Sequence, residues 1–140
     1  MDKEVLVSIS GMQFADSDDT SIEVITTGEY YEKNNKHYLF YDEVLDGTSI
    51  TTKNTVKFDN DCLELKRKGA VNVHMIFDRA QKTMSNYRTP FGNLLIGIDT
   101  SDIVIHQTND SILVNVDYSL DVNYEFLTNC QLKLKISERG

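Results

Sequence analysis

A chain of 140 residues that is 40% hydrophobic and contains a single proline has the length and composition of one folded domain over residues 1–140, and not of a disordered segment. Its net charge of −8 argues against binding to nucleic acid or to an anionic membrane surface, because both require clustered Lys and Arg side chains. The sequence shows no basic segment followed by an apolar leader, and no apolar run of about 18 residues. We therefore expect a cytoplasmic protein whose cysteines are reduced.

Apolar and polar side chains alternate with a period of two through most of the chain, most clearly over residues 5–9, 112–124 and 130–136. Successive side chains of a strand point to opposite faces, so this alternation predicts half-buried strands. Short segments rich in Asn, Asp and Gly separate the runs and predict tight turns. In chain order, strands are predicted near residues 3–14, 20–33, 36–46, 49–58, 61–68, 71–78, 80–89, 93–106, 111–124 and 126–137.

Two stretches depart from simple alternation. A helix could begin at Asp78, but the regular spacing of hydroxyl side chains over residues 83–89 favours a strand. Between Ile98 and Ile103 the apolar side chains change parity, as they do when one extra residue enters a strand. The sequence therefore predicts a β-bulge within residues 99–102.

So many strands, with no helix to cover a sheet, must either close on themselves or pack as two sheets. Closure removes the exposed strand edges that promote aggregation. We therefore predict an all-β fold: a single antiparallel up-and-down β-barrel of about eight to ten strands.

Parity along the strand at residues 61–68 predicts an arginine inside this barrel. Arg67 shares its face with Leu63 and Leu65, whereas Lys66 lies on the other face. A buried guanidinium group needs an anionic partner. That partner is either Glu43, which parity also places on an inner face, or the carboxylate or phosphate of a ligand.

Other polar side chains are predicted to share the interior with this arginine. Tyr41 has the parity of Glu43, and the hydroxyl-bearing residues Tyr87 and Thr89 alternate with outward positions on the strand at residues 80–89. One interpretation is a cup for a small ligand, bound by Arg67, Tyr87, Thr89, Tyr41 and Glu43. The other is a filled interior whose polar groups satisfy one another.

No signature of catalysis or of metal binding stands out. The three histidines lie on three different predicted strands, and the acidic run at residues 16–19 lacks the Gly and Glu that a calcium loop requires. Cys62 is predicted to face outward and Cys130 inward, so no disulfide is expected. We expect no metal and no cofactor, and we favour a non-enzymatic protein over an enzyme.

Several landmarks occur together in a familiar order. They are Tyr41-x-Glu43, Arg67-x-Gly69, Met75-x-Phe77, Tyr87-x-Thr89-Pro90-Phe91-Gly92 and Thr100. In this spacing the chain resembles the YwiB-like family of small bacterial proteins, a domain of unknown function. The resemblance implies a calycin-like, lipocalin-like barrel, and it implies no activity, substrate or catalytic residue.

Two functional hypotheses follow from this pattern. The first is a non-enzymatic cytoplasmic barrel that binds a small anionic or amphipathic ligand in its lumen, with Arg67 meeting the acidic group. The alternative is a protein-interaction or structural module with a filled, self-satisfied interior. The sequence does not indicate an oligomeric state.

Overall fold

The described residues of a computed structural model form ten β-strands, which are numbered in chain order. Residues 4–12, 22–44, 51–69, 72–89 and 92–138 are described, apart from the side chains of residues 11–12, 22–24, 44 and 87–89. The strands are β1 (Glu4–Met12), β2 (Ile22–Lys33), β3 (Lys36–Val44), β4 (Thr51–Phe58), β5 (Cys62–Lys68), β6 (Val73–Asp78), β7 (Thr83–Thr89), β8 (Gly92–Gln107), β9 (Ser111–Val122) and β10 (Glu125–Glu138).

The strands form a single antiparallel sheet in the order β6-β5-β4-β3-β2-β1-β10-β9-β8-β7. Consecutive strands are neighbours in the sheet, with the exception of β6 and β7. The first strand, β1, also pairs with the last, β10. The sheet thus curls into a nearly closed ten-stranded barrel, and the predicted all-β antiparallel barrel is confirmed. Within the described part of the chain no ladder joins β6 to β7, so one seam of the barrel is not hydrogen-bonded as a sheet.

Alternation determines which side chains fill the barrel. Directly paired residues of neighbouring strands share a face, so one apolar parity continues around the whole sheet. That inner face is filled by large apolar side chains that are almost completely buried, among them Phe58, Phe77, Ile9, Leu39, Leu63, Leu65, Met75, Ile96, Ile98, Ile112 and Leu120. Close packing of this kind supplies most of the folding free energy.

Three local features lie where the sequence predicts them. Residues 83–89 are a strand and not a helix. The register of β8 against β9 shifts between Thr100 and Asp102, which confirms the bulge. Asn34 and Asn35 both adopt positive φ angles, 54° and 64°, and form the two-residue hairpin turn between β2 and β3.

The backbone conformation explains why the Arg67-x-Gly69 landmark ends in a glycine. Gly69 has a φ of 144°, a conformation that residues with a side chain rarely adopt. A Cβ atom at this position would lie 2.2 Å from the carbonyl oxygen of Thr51. A glycine immediately after β5 therefore allows the chain to turn against the start of β4.

Candidate functional site

Three polar side chains stand side by side on the inner face of neighbouring strands. Tyr41 on β3 pairs with Asn54 on β4, and Asn54 pairs with Arg67 on β5. All three are almost completely buried. Glu43 lies two residues beyond Tyr41 on the same face, opposite Thr52. We call Tyr41, Glu43, Asn54 and Arg67 the polar cluster.

Hydrogen bonds connect three members of the polar cluster into a closed triangle. Arg67 Nε donates to Asn54 Oδ1 at 3.0 Å, and Arg67 Nη2 donates to Glu43 Oε1 at 3.1 Å. Asn54 Nδ2 donates to the same oxygen of Glu43 at 3.1 Å. The inward orientation of Arg67 and its pairing with Glu43 are both confirmed, and the charge of the guanidinium is compensated within the protein.

Tyr41 is the member of the cluster that remains without a polar contact. Its hydroxyl is buried and has no hydrogen-bond partner among the residues described. Burial, with a smaller effect from Glu43, raises the pKa of Tyr41, although Arg67 acts in the opposite direction. The hydroxyl is therefore neutral at physiological pH and retains both a proton to donate and lone pairs to accept with.

Two predicted site residues can be placed only by their backbone. Tyr87 pairs with Leu94, and Thr89 pairs with Gly92, on β8. Their side chains lie outside the described part of the structure, so their contact with the polar cluster stays a prediction. On the same strand, Thr83 pairs with Ile98 and Ser85 pairs with Ile96. Both isoleucines are buried, and directly paired residues share a face. The hydroxyl face of β7 therefore points inward at Thr83 and Ser85, as predicted.

Asn54 is a site residue that the sequence analysis did not single out. It shares parity with Val56 and Phe58 on β4, and both of those side chains are buried. The same parity argument that placed Arg67 inside would have placed Asn54 there. An amide side chain on the same face as Val56 and Phe58 was the available signal.

A surface depression with a volume of about 570 Å³ lies against this part of the sheet. Tyr41 and Asn54 are among the residues that line it, together with Gly28 on β2. The depression spans β1 to β4 and also carries the outward charged residues Glu4, Glu29, Asp42 and Lys53. Its volume is within the range of small-molecule sites.

Comparison with known proteins identifies the family. The family model described as "Domain of unknown function (DUF1934)" matches residues 7–134. The chain belongs to the DUF1934 family. It is 31% identical over 110 residues to the "Uncharacterized beta-barrel protein YwiB" of Bacillus subtilis (strain 168), which covers 79% of this chain and 76% of that protein. The expected YwiB-like resemblance is confirmed.

The fold of this DUF1934 domain also matches a solved structure. The crystal structure of the ywiB protein from Bacillus subtilis superposes with a TM-score of 0.77 at 24% identity, covering 99% of this chain and 94% of that one. The match shows a shared β-barrel fold. The narrower calycin-like class stays a prediction, and fold alone does not transfer a function.

A second buried polar group lies elsewhere inside this DUF1934 barrel. His37 on β3 is 7% exposed and shares a hydrogen bond of 2.6 Å between its Nδ1 atom and the Tyr30 hydroxyl. Its ring stacks on Phe58 with a centroid distance of 4.7 Å. Burial lowers the pKa of His37 below the ordinary value of 6.5, against smaller raising effects from Glu32 and Asp59. His37 is a structural side chain that is held neutral.

The stability of the barrel should therefore fall in mildly acidic solution. The unfolded chain takes up a proton at His37 near the ordinary pKa of 6.5, whereas the folded chain resists protonation until a lower pH. The contribution of His37 to the free energy of unfolding is complete above pH 6.5 and is lost as the pH falls through the lower pKa of the folded chain. Denaturant unfolding at about pH 7.5 and about pH 5.5 measures the loss.

A matched pair of variants isolates this contribution. His37→Gln should lose part of the decrease seen in the wild type between the two pH values, whereas His106→Gln, at an exposed position on β8, should retain it. Equal decreases in the wild type and in His37→Gln would show that His37 is not responsible.

The remaining candidates for chemistry are separated in space. Cys62 and Cys130 are partly buried thiols that form no disulfide, and burial raises the pKa of each. His74 instead pairs with Glu64 at 2.5 Å on the outer face. Among the described residues no three potential metal ligands lie together, and no helix is long and apolar enough to cross a membrane. The acidic run at residues 16–19 lies outside the described residues, and the expectation of no metal or cofactor stays a prediction.

Proposed function

We propose that this DUF1934 domain is a non-enzymatic cytoplasmic barrel that binds a small ligand carrying an acidic group at the polar cluster. The observation that supports the proposal is the buried hydroxyl of Tyr41, which has no partner among the residues described and lies close to the compensated Arg67–Glu43 pair. An unsatisfied buried hydroxyl costs about 1–3 kcal/mol, and a bound polar group would recover that cost. Two cysteines that form no disulfide are in keeping with a reducing compartment.

The internal ion pair determines how an acidic ligand would enter. Arg67 already donates to Asn54 and to Glu43, so a ligand carboxylate has to take the place of Glu43 at the guanidinium. Glu43 is the more exposed member of the pair, with 22% of its side chain accessible against 8% for Arg67. Glu43 is therefore the group that can move to solvent, while Arg67 Nε keeps its hydrogen bond to Asn54. A planar carboxylate suits the guanidinium group that Glu43 contacts through Nη2.

Three probes of the same shape test this proposal. Benzoate, benzyl alcohol and benzylamine differ only in carrying an anionic, a neutral or a cationic group on the same ring. We expect benzoate to bind most tightly, with a Kd of about 1–10 mM given the few kcal/mol that so small a ligand can gain. Amide chemical-shift changes in β3, β4 and β5 measure both the affinity and the location.

Two matched variants make the test specific. Glu43→Gln removes the carboxylate that contacts Arg67 and should tighten benzoate binding by about ten-fold, because the ligand no longer competes with that carboxylate. Glu64→Gln, on the outer face of β5 and paired with His74, should leave the affinity unchanged. An equal response to the three probes, or no response in β3 to β5, would contradict the proposal.

A protein-interaction module is the second candidate. The observation in its favour is the hairpin between β9 and β10, where Tyr124, Phe126 and Leu127 are exposed to solvent. Exposed aromatic side chains of this kind are common at protein interfaces. In this case the interior would be filled and self-satisfied, and the benzoate series would give no response at the polar cluster.

A further inference from the structure

Three aromatic rings stack on the outer face of the barrel. Tyr31 on β2 stacks on Tyr38, its direct partner on β3, with 4.9 Å between the ring centroids and 13° between the ring planes. The ring of Tyr31 also stacks on that of Phe40, two residues further along β3, at 5.8 Å and 22°. We call Tyr31, Tyr38 and Phe40 the aromatic stack. All three side chains are half-buried or exposed, so the aromatic stack belongs to the surface of the barrel and not to its core.

One end of the aromatic stack already holds a cation. Lys57 on β4 is the direct partner of Tyr38 in the register, and its ammonium nitrogen lies 5.7 Å from the centroid of the Tyr38 ring. The face of an aromatic ring carries partial negative charge and attracts a cation at this distance. The chain therefore supplies the cation at the Tyr38 end of the stack.

The Phe40 end borders the depression of about 570 Å³. Gly28, Tyr41 and Asn54 also line this depression, and they form one row of paired residues of the inward parity. The backbone of this row therefore forms the floor of the depression, and outward side chains on either side of the row form its walls. The depression is a concave site on the outer face of the sheet, whereas the side chains of the polar cluster lie on the inner face.

Carboxylates outnumber ammonium groups around this depression. Glu29 is directly opposite Phe40 on β2, and Asp42 lies two residues beyond Phe40 on the same face of β3. Glu4 is opposite Glu29 on β1, and Lys53, opposite Asp42, is the single cation among the described residues that line the depression. Three carboxylates and one ammonium group leave an excess of negative charge beside the Phe40 ring.

A guanidinium group has the chemistry that matches an aromatic ring flanked by carboxylates. It is planar, it stacks on aromatic faces, and it gives up its hydration more readily than an ammonium group does. Its N–H groups also pair with carboxylates in a fixed fork. The volume of the depression is that of a site for a small molecule.

We infer that the depression binds a small organic cation of the alkylguanidinium type, which stacks on Phe40 as Lys57 lies over Tyr38 and pairs with Glu29 and Asp42. The inference goes beyond the proposed function and does not depend on it. The two ligands carry opposite charges and meet opposite faces of the sheet, so a cation series and an anion series test the two sites separately.

Three probes with the same four-carbon chain test the inference. Butylguanidinium and butylurea share a planar head group and differ in charge, whereas butylammonium keeps the charge and lacks the plane. We expect butylguanidinium to bind most tightly, with a Kd of about 1–10 mM, butylammonium to bind at least about three-fold more weakly, and butylurea not to approach saturation at about 50 mM. Amide chemical-shift changes at Glu29, Phe40, Asp42 and Thr55 report the location.

Matched variants identify the groups that bind. Glu29→Gln and Phe40→Leu should each raise the Kd for butylguanidinium by about three- to five-fold, because the first removes a carboxylate and the second removes an aromatic face. Glu125→Gln and Phe126→Leu make the same substitutions at exposed positions of the β9–β10 hairpin and should change the Kd by less than about 1.5-fold. Glu29 is exposed, so Glu29→Gln tests the site even where Phe40→Leu lowers the stability of the fold.

The results distinguish a built site from general attraction to an acidic protein. Preference for butylguanidinium, with losses in Glu29→Gln and not in the hairpin variants, supports the inference even if benzoate binds nowhere. Equal binding of butylurea, equal losses in the hairpin variants, or shift changes spread over the whole acidic surface would overturn it. Tighter binding of a blocked Gly-Arg-Gly peptide than of butylguanidinium would assign the depression to an arginine of a partner protein and would overturn the small-molecule ligand.

Discussion

Arg67→Ala is expected to lower the free energy of unfolding by about 3 kcal/mol. The substitution removes the cation that compensates Glu43 and the Nε donor that Asn54 accepts from. It leaves a half-buried carboxylate and a buried amide oxygen without these partners, and such groups cost more than the net gain of the bonds that were lost. Denaturant unfolding of the variant and the wild type measures the difference.

Two further variants show whether the ion pair is the cause. Lys66→Ala, at the neighbouring exposed position on β5, should change the stability by less than about 0.5 kcal/mol. The double substitution Arg67→Met and Glu43→Leu should recover most of the loss, since apolar groups of similar volume often replace a buried pair without cost. An Arg67→Ala variant as stable as the wild type would mean that the ion pair contributes nothing to the stability of the fold.

Phe77→Ala is expected to cost about 4 kcal/mol, because truncation of a buried aromatic ring loses both transfer free energy and packing. Phe77 on β6 is completely buried, and its ring meets Tyr118 edge to face, with centroids 4.8 Å apart and an angle of 73°. β6 has a ladder partner on one side only within the described residues, so apolar contacts of this kind do much to hold it in the barrel.

The same substitution at an exposed position is the control. Phe126→Ala, at a residue that is 67% exposed in the β9–β10 hairpin, should cost less than about 0.5 kcal/mol. Thermal unfolding of both variants beside the wild type makes the comparison. Similar losses for Phe77→Ala and Phe126→Ala would show that Phe77 is not part of a close-packed core.

The strand pattern was well predicted because alternation is a local signal with a direct cause. Each strand buries one face, so the parity of Ile98 and Ile103 was enough to predict the bulge, and the parity of Leu63 and Leu65 was enough to place Arg67 inside. Glu43 could be named as a partner for the same reason. Its contact with Arg67 joins residues 24 apart in the chain, and depends on β4 lying between β3 and β5.

Other features were not predicted because they arise between distant strands. Asn54 matters because it bridges Arg67 and Glu43, and Gly97 matters because Lys82 crosses it to reach Asp121, 39 residues away. Parity could have placed Asn54 on the inner face, but the pattern of a single strand does not show which side chains either residue meets. The roles of both come from the curvature and register of the assembled sheet.

The amino-acid sequence by itself determined the class of fold, the strands and the side of the sheet to which each side chain points, because a period of two follows from the geometry of one extended chain. The tertiary structure decided which inward polar groups meet, that Tyr41 lies among them without a polar contact in the described residues, and where the wall lacks a ladder. These features depend on how far the sheet curls before its two edge strands approach each other, and that is set by the packing of the whole core and not by any single segment.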